Sequence, residues 1–252
     1  MLLARRTMDF LSALRRAIAL ARFVYAPLLL LAFASSVLAI GQALGWHPIP
    51  EWNPSHPAGL LFNSTAQGAF LALAMMVLVV YDFYWPWALV LAPGLYLAHS
   101  RGAIAAVAFG LLATYFRRPL WLLVVALAFT VAWSYAPDSS NAQRLAIWYA
   151  AATHLTFWGN GFGSFWTLWI GNPAWWPQYV HNDYLQTVFE LGIWSLIPFT
   201  IVAWVASRTF ARDWPIFITF LFIATFWMPL HAPSVAAIGL VAFVTTLGAT
   251  DA

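Results

Sequence analysis

The stretch AQGAFLALAMMVLVVYDFYWPWALVLAPGLYLAH, residues 66–99, decides how this chain is laid out. Read as one apolar run it is a single long transmembrane helix. Read with a turn at Tyr81-Asp82-Phe83-Tyr84-Trp85-Pro86 it is two short ones. The second reading puts an acid, a proline and several aromatic rings at a membrane interface, where such rings belong, and it sets the sidedness of everything downstream. A membrane is implied by composition: of 252 residues 63% are apolar and 8% charged, against roughly 25% charged in an ordinary soluble domain. That leaves too little polar surface to coat a water-soluble globule, which excludes a soluble enzyme, a nucleic-acid binder and a disordered chain. The chain has no cysteine, so disulfides, thiolate metal sites and cysteine nucleophiles are excluded together.

Working outward from residues 66–99, hydropathy gives further spans near 23–44, 102–116, 119–134, 184–206, 214–229 and 233–249. Arginine placement chooses between the two readings. All eleven basic residues are arginines. With two short spans in 66–99 and the N-terminus inside, Arg5, Arg6, Arg15, Arg16, Arg22, Arg117, Arg118, Arg208 and Arg212 fall on the cytoplasmic side, as the positive-inside rule prefers. Only Arg101 and Arg144 then remain outside. The expected fold is an all-α integral membrane protein, one membrane domain over 1–252, with about eight transmembrane helices and both termini cytoplasmic. Residues 1–16 read as an N-terminal interfacial amphipathic helix. The small-residue run Ala34–Ala39 resembles a signal-cleavage region, but the apolar stretch continues through it. The outer loops are 45–65 and a much longer one, 135–183, where function is expected.

Within the long loop, Asp138-Ser139-Ser140-Asn141 offers helix caps. Leu145, Trp148, Ala152 and Leu155 then recur at helical spacing, predicting a short amphipathic helix of about 15 residues. Arg144 in its first turn suits either a lipid phosphate or a bound phosphate, since a planar five-donor fork matches that geometry. The run Trp158-Gly159-Asn160-Gly161-Phe162-Gly163-Ser164-Phe165 fits an anion-binding nest of backbone N–H groups or a tight re-entrant turn. Pro173-Ala174-Trp175-Trp176-Pro177 reads as an interfacial aromatic shelf, with sugar stacking as the second reading. His181-Asn182-Asp183-Tyr184-Leu185-Gln186 crowds polar groups at the mouth of a span, where they are costly. His181 is therefore the foremost candidate, against the alternative of a helix-capping histidine. Glu190, nine residues further in, is expected to bond another helix. Arg101, in His99-Ser100-Arg101-Gly102-Ala103, is the other outer arginine.

Taken in order, these motifs resemble the O-antigen ligase and O-antigen polymerase superfamily. The resemblance rests on Ser100-Arg101-Gly102-Ala103, on Arg144–Trp148 followed by Gly159–Phe165, and above all on His181–Gln186 continuing to Glu190-Leu191-Gly192. Gly59-Leu60-Leu61-Phe62-Asn63 and Pro229-Leu230-His231-Ala232-Pro233 are weaker echoes. The set runs in family order from about residue 57 to 248, in an unusually short member. The resemblance implies a metal-independent, inverting membrane glycosyltransferase of the GT-C type. Such an enzyme moves a glycan from undecaprenyl diphosphate to an acceptor hydroxyl at the periplasmic face of the bacterial inner (plasma) membrane. The activity is O-antigen ligase or polysaccharide polymerase, as in lipopolysaccharide biosynthesis. It implies Arg101, Arg144 and His181 as catalytic residues, with the arginines holding the diphosphate. Ser100, Asn182, Tyr184 and His231 would join the arginines in substrate binding. The implied partners are the lipid-linked glycan donor, a glycan or lipid A-core-type acceptor and membrane lipids, with no nucleic acid.

Residue chemistry agrees with this expectation. Two arginines can neutralise a departing diphosphate without Mg²⁺, and a histidine of ordinary pKa near 6.5 can take or orient an acceptor proton at neutral pH. No Asp-x-Asp pair occurs and the six histidines show no ligand spacing, so no metal and no cofactor beyond the donor itself is expected. The alternative is a non-catalytic membrane subunit or inhibitor of a glycan-assembly system derived from this family, which the short N-terminal half favours. A transporter would show internal repeats, and none is visible.

Overall fold

The computed structural model describes residues 25–49, 57–61, 63–81, 86–115, 139–165, 180–197, 200, 214–226, 235–236 and 238–239. Among them the chain is helical, without strands. The helices are α1 (Tyr25–Ala43), α2 (Ser64–Val80), α3 (Pro86–Leu97), α4 (Arg101–Tyr115), α5 (Ser139–Thr153), α6 (Asp183–Leu191) and α7 (Trp214–Phe226). One of them, α1, is long and apolar enough to cross a membrane, and α2, α3, α4 and α7 carry shorter apolar stretches. The expectation of about eight spans is therefore met, on length and composition, by one helix among the described residues. The interfacial helix expected at 1–16, the span expected at 119–134, the expected aromatic shelf at 173–177, His231 and the arginines expected on the cytoplasmic side lie outside the described residues.

Residues 66–99 do form two helices, separated at 81–85. Contacts along them give their directions. Tyr25, at the start of α1, meets Tyr81, just past the end of α2, with ring centroids 5.3 Å apart. Further along, the Ser35 hydroxyl donates to Gln67 Oε1 at 2.6 Å, so α1 and α2 are antiparallel. Phe33 packs edge-on to Trp87 and the Ser36 hydroxyl donates to the Val90 carbonyl, so α3 runs parallel to α1. Gly68 lies against Ser100 and Ala103, and Gly110 against Met76, which makes α4 parallel to α2. The first four helices therefore alternate in direction. The start of α4, with Arg101, lies at the same end of the bundle as the start of α2.

α2 is the central helix, buried from Ala66 to Ala74 without a break. A helix apolar on every side belongs inside a bundle, and small residues let its neighbours approach closely. Gly110 of α4 lies where Met76 of α2 and Thr219 of α7 meet, and one helical position away Phe109 stacks on Phe222 at 4.8 Å. The Gly59–Asn63 segment ties α1 to α2. Gly59 N–H donates to Gln42 Oε1 at 2.8 Å, and Leu60 N–H to Ser35 Oγ at 2.9 Å. Asn63 Oδ1 then caps α2 by accepting from Thr65 and Ala66.

A second, smaller core holds Ile147, Ala151, Phe165, Val180 and Phe189. It joins α5, the glycine-rich loop and α6. Trp148 packs against both cores, and the Tyr184 hydroxyl donates to the Leu221 carbonyl of α7 at 2.9 Å. The predicted amphipathic helix of about 15 residues is α5, with 15 residues. The apolar stretch 184–206 is interrupted where one span was expected: α6 stops at Leu191, and helical residues resume at 196. Gly192 adopts φ 82 and a short 3-10 turn, Ile193–Ser195, follows.

Candidate functional site

The helix interruption at Gly192 accounts for the first part of the glycine run. Asn160 N–H donates to the Phe189 carbonyl and Gly161 N–H to the Glu190 carbonyl, each at 2.9 Å. The Asn160 side-chain amide donates to the Phe189 carbonyl and to that of His154, while Ile193 N–H returns to the Phe157 carbonyl. These bonds satisfy carbonyls that a helix end leaves open. Gly159 and Gly192 press backbone to backbone, and a Cβ on either would strike the other strand of the turn. The glycines therefore serve a tight turn that closes the end of α6. The N–H groups of Asn160 and Gly161 that an anion nest would use are bonded to carbonyls.

Three other chain segments bring charge together. Arg101 is the first residue of α4 and is exposed. Ser100 supplies the carbonyl that accepts from Ala103 and Ile104 at the helix start, and its side chain packs on Gly68 of α2. Arg101 thus sits at the positive end of the α4 dipole, where a cation gains nothing from its helix. Arg144, half-buried in α5, has its pKa lowered first by burial and then by the charge of Arg101. His181, also half-buried, is pushed down to about 4, first by burial and then by the charge of Arg144. Arg101, Arg144 and His181, separated by 43 and 37 residues in sequence, therefore form one electrostatic group.

The His181 result revises one expectation. At neutral pH the ring is neutral, as a base must be, but its proton affinity is far below that of an ordinary histidine. The helix-capping alternative fails as well, because the cap of α6 is Asn182, whose Oδ1 accepts from Leu185 N–H at 2.9 Å. His181 lies one residue outside, at φ 57, a left-handed conformation uncommon for a non-glycine residue.

The remaining expected substrate-binding residues divide. Ser100 adjoins Arg101. Asn182 adjoins His181, with its oxygen engaged in the cap. Tyr184 has its hydroxyl proton committed to Leu221 of α7. Glu190 is buried, but accepts from Gln186 Nε2 at 3.0 Å on its own helix rather than from another helix. Among the described residues no group of three or more His, Asp or Glu could hold a metal ion.

Two residues around His181 carry no assignment in the sequence reading. Trp148 Nε1–H donates to the Val180 carbonyl at 3.0 Å, and Val180 N–H donates to Gln186 Oε1 at 3.1 Å. The available signal was spacing: Trp148 stands four residues after Arg144, on the same helical face, and Gln186 four before Glu190. Comparison of the chain with protein-family models and with curated proteins returned no match.

Proposed function

We propose that this chain is a multi-pass membrane glycosyltransferase, metal-independent and inverting, acting as O-antigen ligase or polysaccharide polymerase. It moves a glycan from undecaprenyl diphosphate to an acceptor hydroxyl at the periplasmic face of the bacterial inner membrane. The observation that carries the reading is the grouping of Arg101, Arg144 and His181. Two guanidinium groups brought within each other's field, one of them partly buried, are unfavourable in the unliganded protein. A bound dianion reverses the sign of that term, and strongly perturbed groups of this kind mark functional sites.

In the proposed reaction the two guanidinium forks hold the diphosphate and neutralise it as it leaves. The acceptor oxygen attacks the anomeric carbon from the opposite face. A carbon–oxygen bond forms there as the bond to the diphosphate breaks, and the diphosphate departs with the electron pair. The acceptor proton passes to the His181 imidazole. A weakly basic histidine suits this order of events, because a bound diphosphate offsets the charge of Arg144 and raises the basicity of the ring only once the donor is in place. The apolar composition and the alternating helices α1–α4 support the membrane layout, with both termini cytoplasmic and α5 and the start of α6 at the outer face.

The test is reconstitution of the full chain in vesicles containing undecaprenyl-diphosphate-linked glycan and a lipid A-core or glycan acceptor. The reading expects transfer that is lost in Arg101→Ala, Arg144→Ala and His181→Ala and is insensitive to EDTA. Wild-type protein that binds the donor without transferring it would make the chain a non-catalytic subunit.

A further inference from the structure

We propose that Trp148 and Gln186 are positioning residues that clamp both main-chain groups of Val180 and thereby fix the direction in which the next residue, His181, presents its ring. This rests on the reading of His181 as the acceptor-side base and adds the device that aims it.

The geometry is closed on every side. Val180 is fully buried. Its carbonyl accepts from the Trp148 indole, its N–H donates to the Gln186 side chain, and buried main-chain groups of this kind hold their partners firmly. Because Val180 N–H is a donor, the Gln186 atom facing it is the oxygen. The amide nitrogen is thereby turned to Glu190, whose Oε1 accepts from it at 3.0 Å. Gln186 and Glu190 are 3% and 5% exposed, so water does not compete for these bonds. On the other side of His181, Asn182 is held by the α6 cap. A non-glycine residue at φ 57 persists only where its surroundings over-determine it, and position 181 has a fixed neighbour on both sides. Trp148 and Arg144 lie one turn apart on α5, so the helix that holds the Val180 carbonyl also carries the cation acting on His181.

Two substitutions remove the clamp with little change of shape. Trp148→Phe keeps an aromatic ring and loses the donor; Gln186→Met keeps the length and loses both polar atoms. The first readout needs no substrate: ¹⁵N-histidine NMR titration of the full chain in lipid nanodiscs, with the His181 signal identified by its loss in His181→Ala. The wild-type signal is expected to titrate near 4, and each variant is expected to raise it as the ring loses burial and, second, the Arg144 field. Two folded variants with unmoved titration overturn the clamp; if one fails to fold, the other decides alone. The second readout is transfer from undecaprenyl-diphosphate-linked glycan. Misplacement of a catalytic group by about 1 Å costs roughly a hundredfold, so kcat falls about 10- to 100-fold while donor affinity stays within about twofold. Adding Trp148→Phe to His181→Ala costs nothing further per folded molecule. A moved titration with undiminished transfer keeps the clamp and overturns the role of His181 as base. Undisturbed titration with reduced transfer overturns the clamp.

Discussion

The bundle of α1–α4 and α7 and the smaller unit of α5, the glycine loop and α6 bury their side chains on different terms. In the bundle the interior is apolar, and polar groups such as Ser35, Ser36 and Gln42 make local bonds that pin one helix or turn to the next. In the smaller unit the buried face of α6 carries Asp183, Gln186 and Glu190 beside Phe189, and its bonds run in a chain from Trp148 through Val180 and Gln186 to Glu190. Dispersion and apolar burial are non-directional, so they place helices without aiming any one group. Hydrogen bonds have angular requirements. The region proposed to aim a side chain is built from them, and it leans on the bundle through Trp148 and Tyr184.

The comparison can be broken first by exchanging insults between the regions. His181→Ala removes the proposed base and is expected to lower transfer per folded molecule by roughly 10²- to 10⁴-fold, with donor binding nearly intact. Leu91→Ala, at a fully buried bundle position, is expected to cost about 2–5 kcal/mol of stability and leave specific activity unchanged. Yield and specific activity measured together on both variants separate the regions. Near-wild-type specific activity for His181→Ala would remove the functional meaning of the smaller unit.

Arg144→Lys comes next. A lysine keeps the charge but cannot present a planar fork. Loss of a charge-assisted bond is worth about 1.5–3 kcal/mol, so donor affinity should fall roughly 10- to 100-fold. Titration of reconstituted protein with undecaprenyl diphosphate checks it, and unchanged affinity would mean that Arg144 contributes only a diffuse field.

Gly192→Ala sharpens the contrast in backbone terms. Its φ of 82 is unfavourable for alanine, and the new Cβ would meet main-chain atoms of Phe157, Trp158 and Gly159, which cannot swing aside. Strain of this kind costs about 1–3 kcal/mol. Hydrogen exchange should show α5 and α6 opening more often while α2 and α4 stay protected. In the bundle, Gly110→Ala meets the side chains of Met76 and Thr219 rather than main chain, and should open α2 and α4 instead, at the cost of the bond from the Thr219 hydroxyl to the Pro215 carbonyl. Equal protection loss in both regions would show that they unfold as one.

These differences also explain what the sequence could disclose. The separation of α2 from α3 was legible because an acid and a proline interrupt an apolar run, and α1, α4 and α7 match the apolar stretches 23–44, 102–116 and 214–229 closely. The helix in the long loop was legible from periodicity. The end of α6 was not, because hydropathy averages across Gly192 and cannot register the loop from Phe157 to Gly161 docking on it. Arg101, Arg144 and His181 were each legible as polar residues in costly places. That they share one site was expected from the resemblance and not from local pattern, since the field at His181 originates 37 residues earlier in the chain. Its lowered pKa follows from folding, and local sequence carries no trace of it.

The smallest expected effect is the pH dependence across the neutral range. In the unliganded protein His181 is depressed from 6.5 to about 4, so its neutral form already dominates at pH 6. Its contribution to folding stability is complete above pH 6.5 and is lost between 6.5 and 4, where the unfolded chain takes up a proton that the native one refuses. In transfer, kcat/KM reports the free enzyme and kcat the donor complex. As far as His181 is concerned, kcat/KM should therefore change by less than about twofold between pH 6 and 8, with its acid limb falling only toward pH 4. The acid limb of kcat should lie higher, because a bound diphosphate offsets the Arg144 charge that holds the free-enzyme value down. In Arg144→Ala that coulombic contribution is gone, so the His181 titration of the unliganded protein, read by ¹⁵N-histidine NMR, should rise while burial keeps it below 6.5. An acid limb of kcat/KM near 6.5 in the intact protein would mean that His181 is neither buried nor within reach of Arg144 during turnover, and the smaller unit would lose the charge coupling that sets it apart from the bundle.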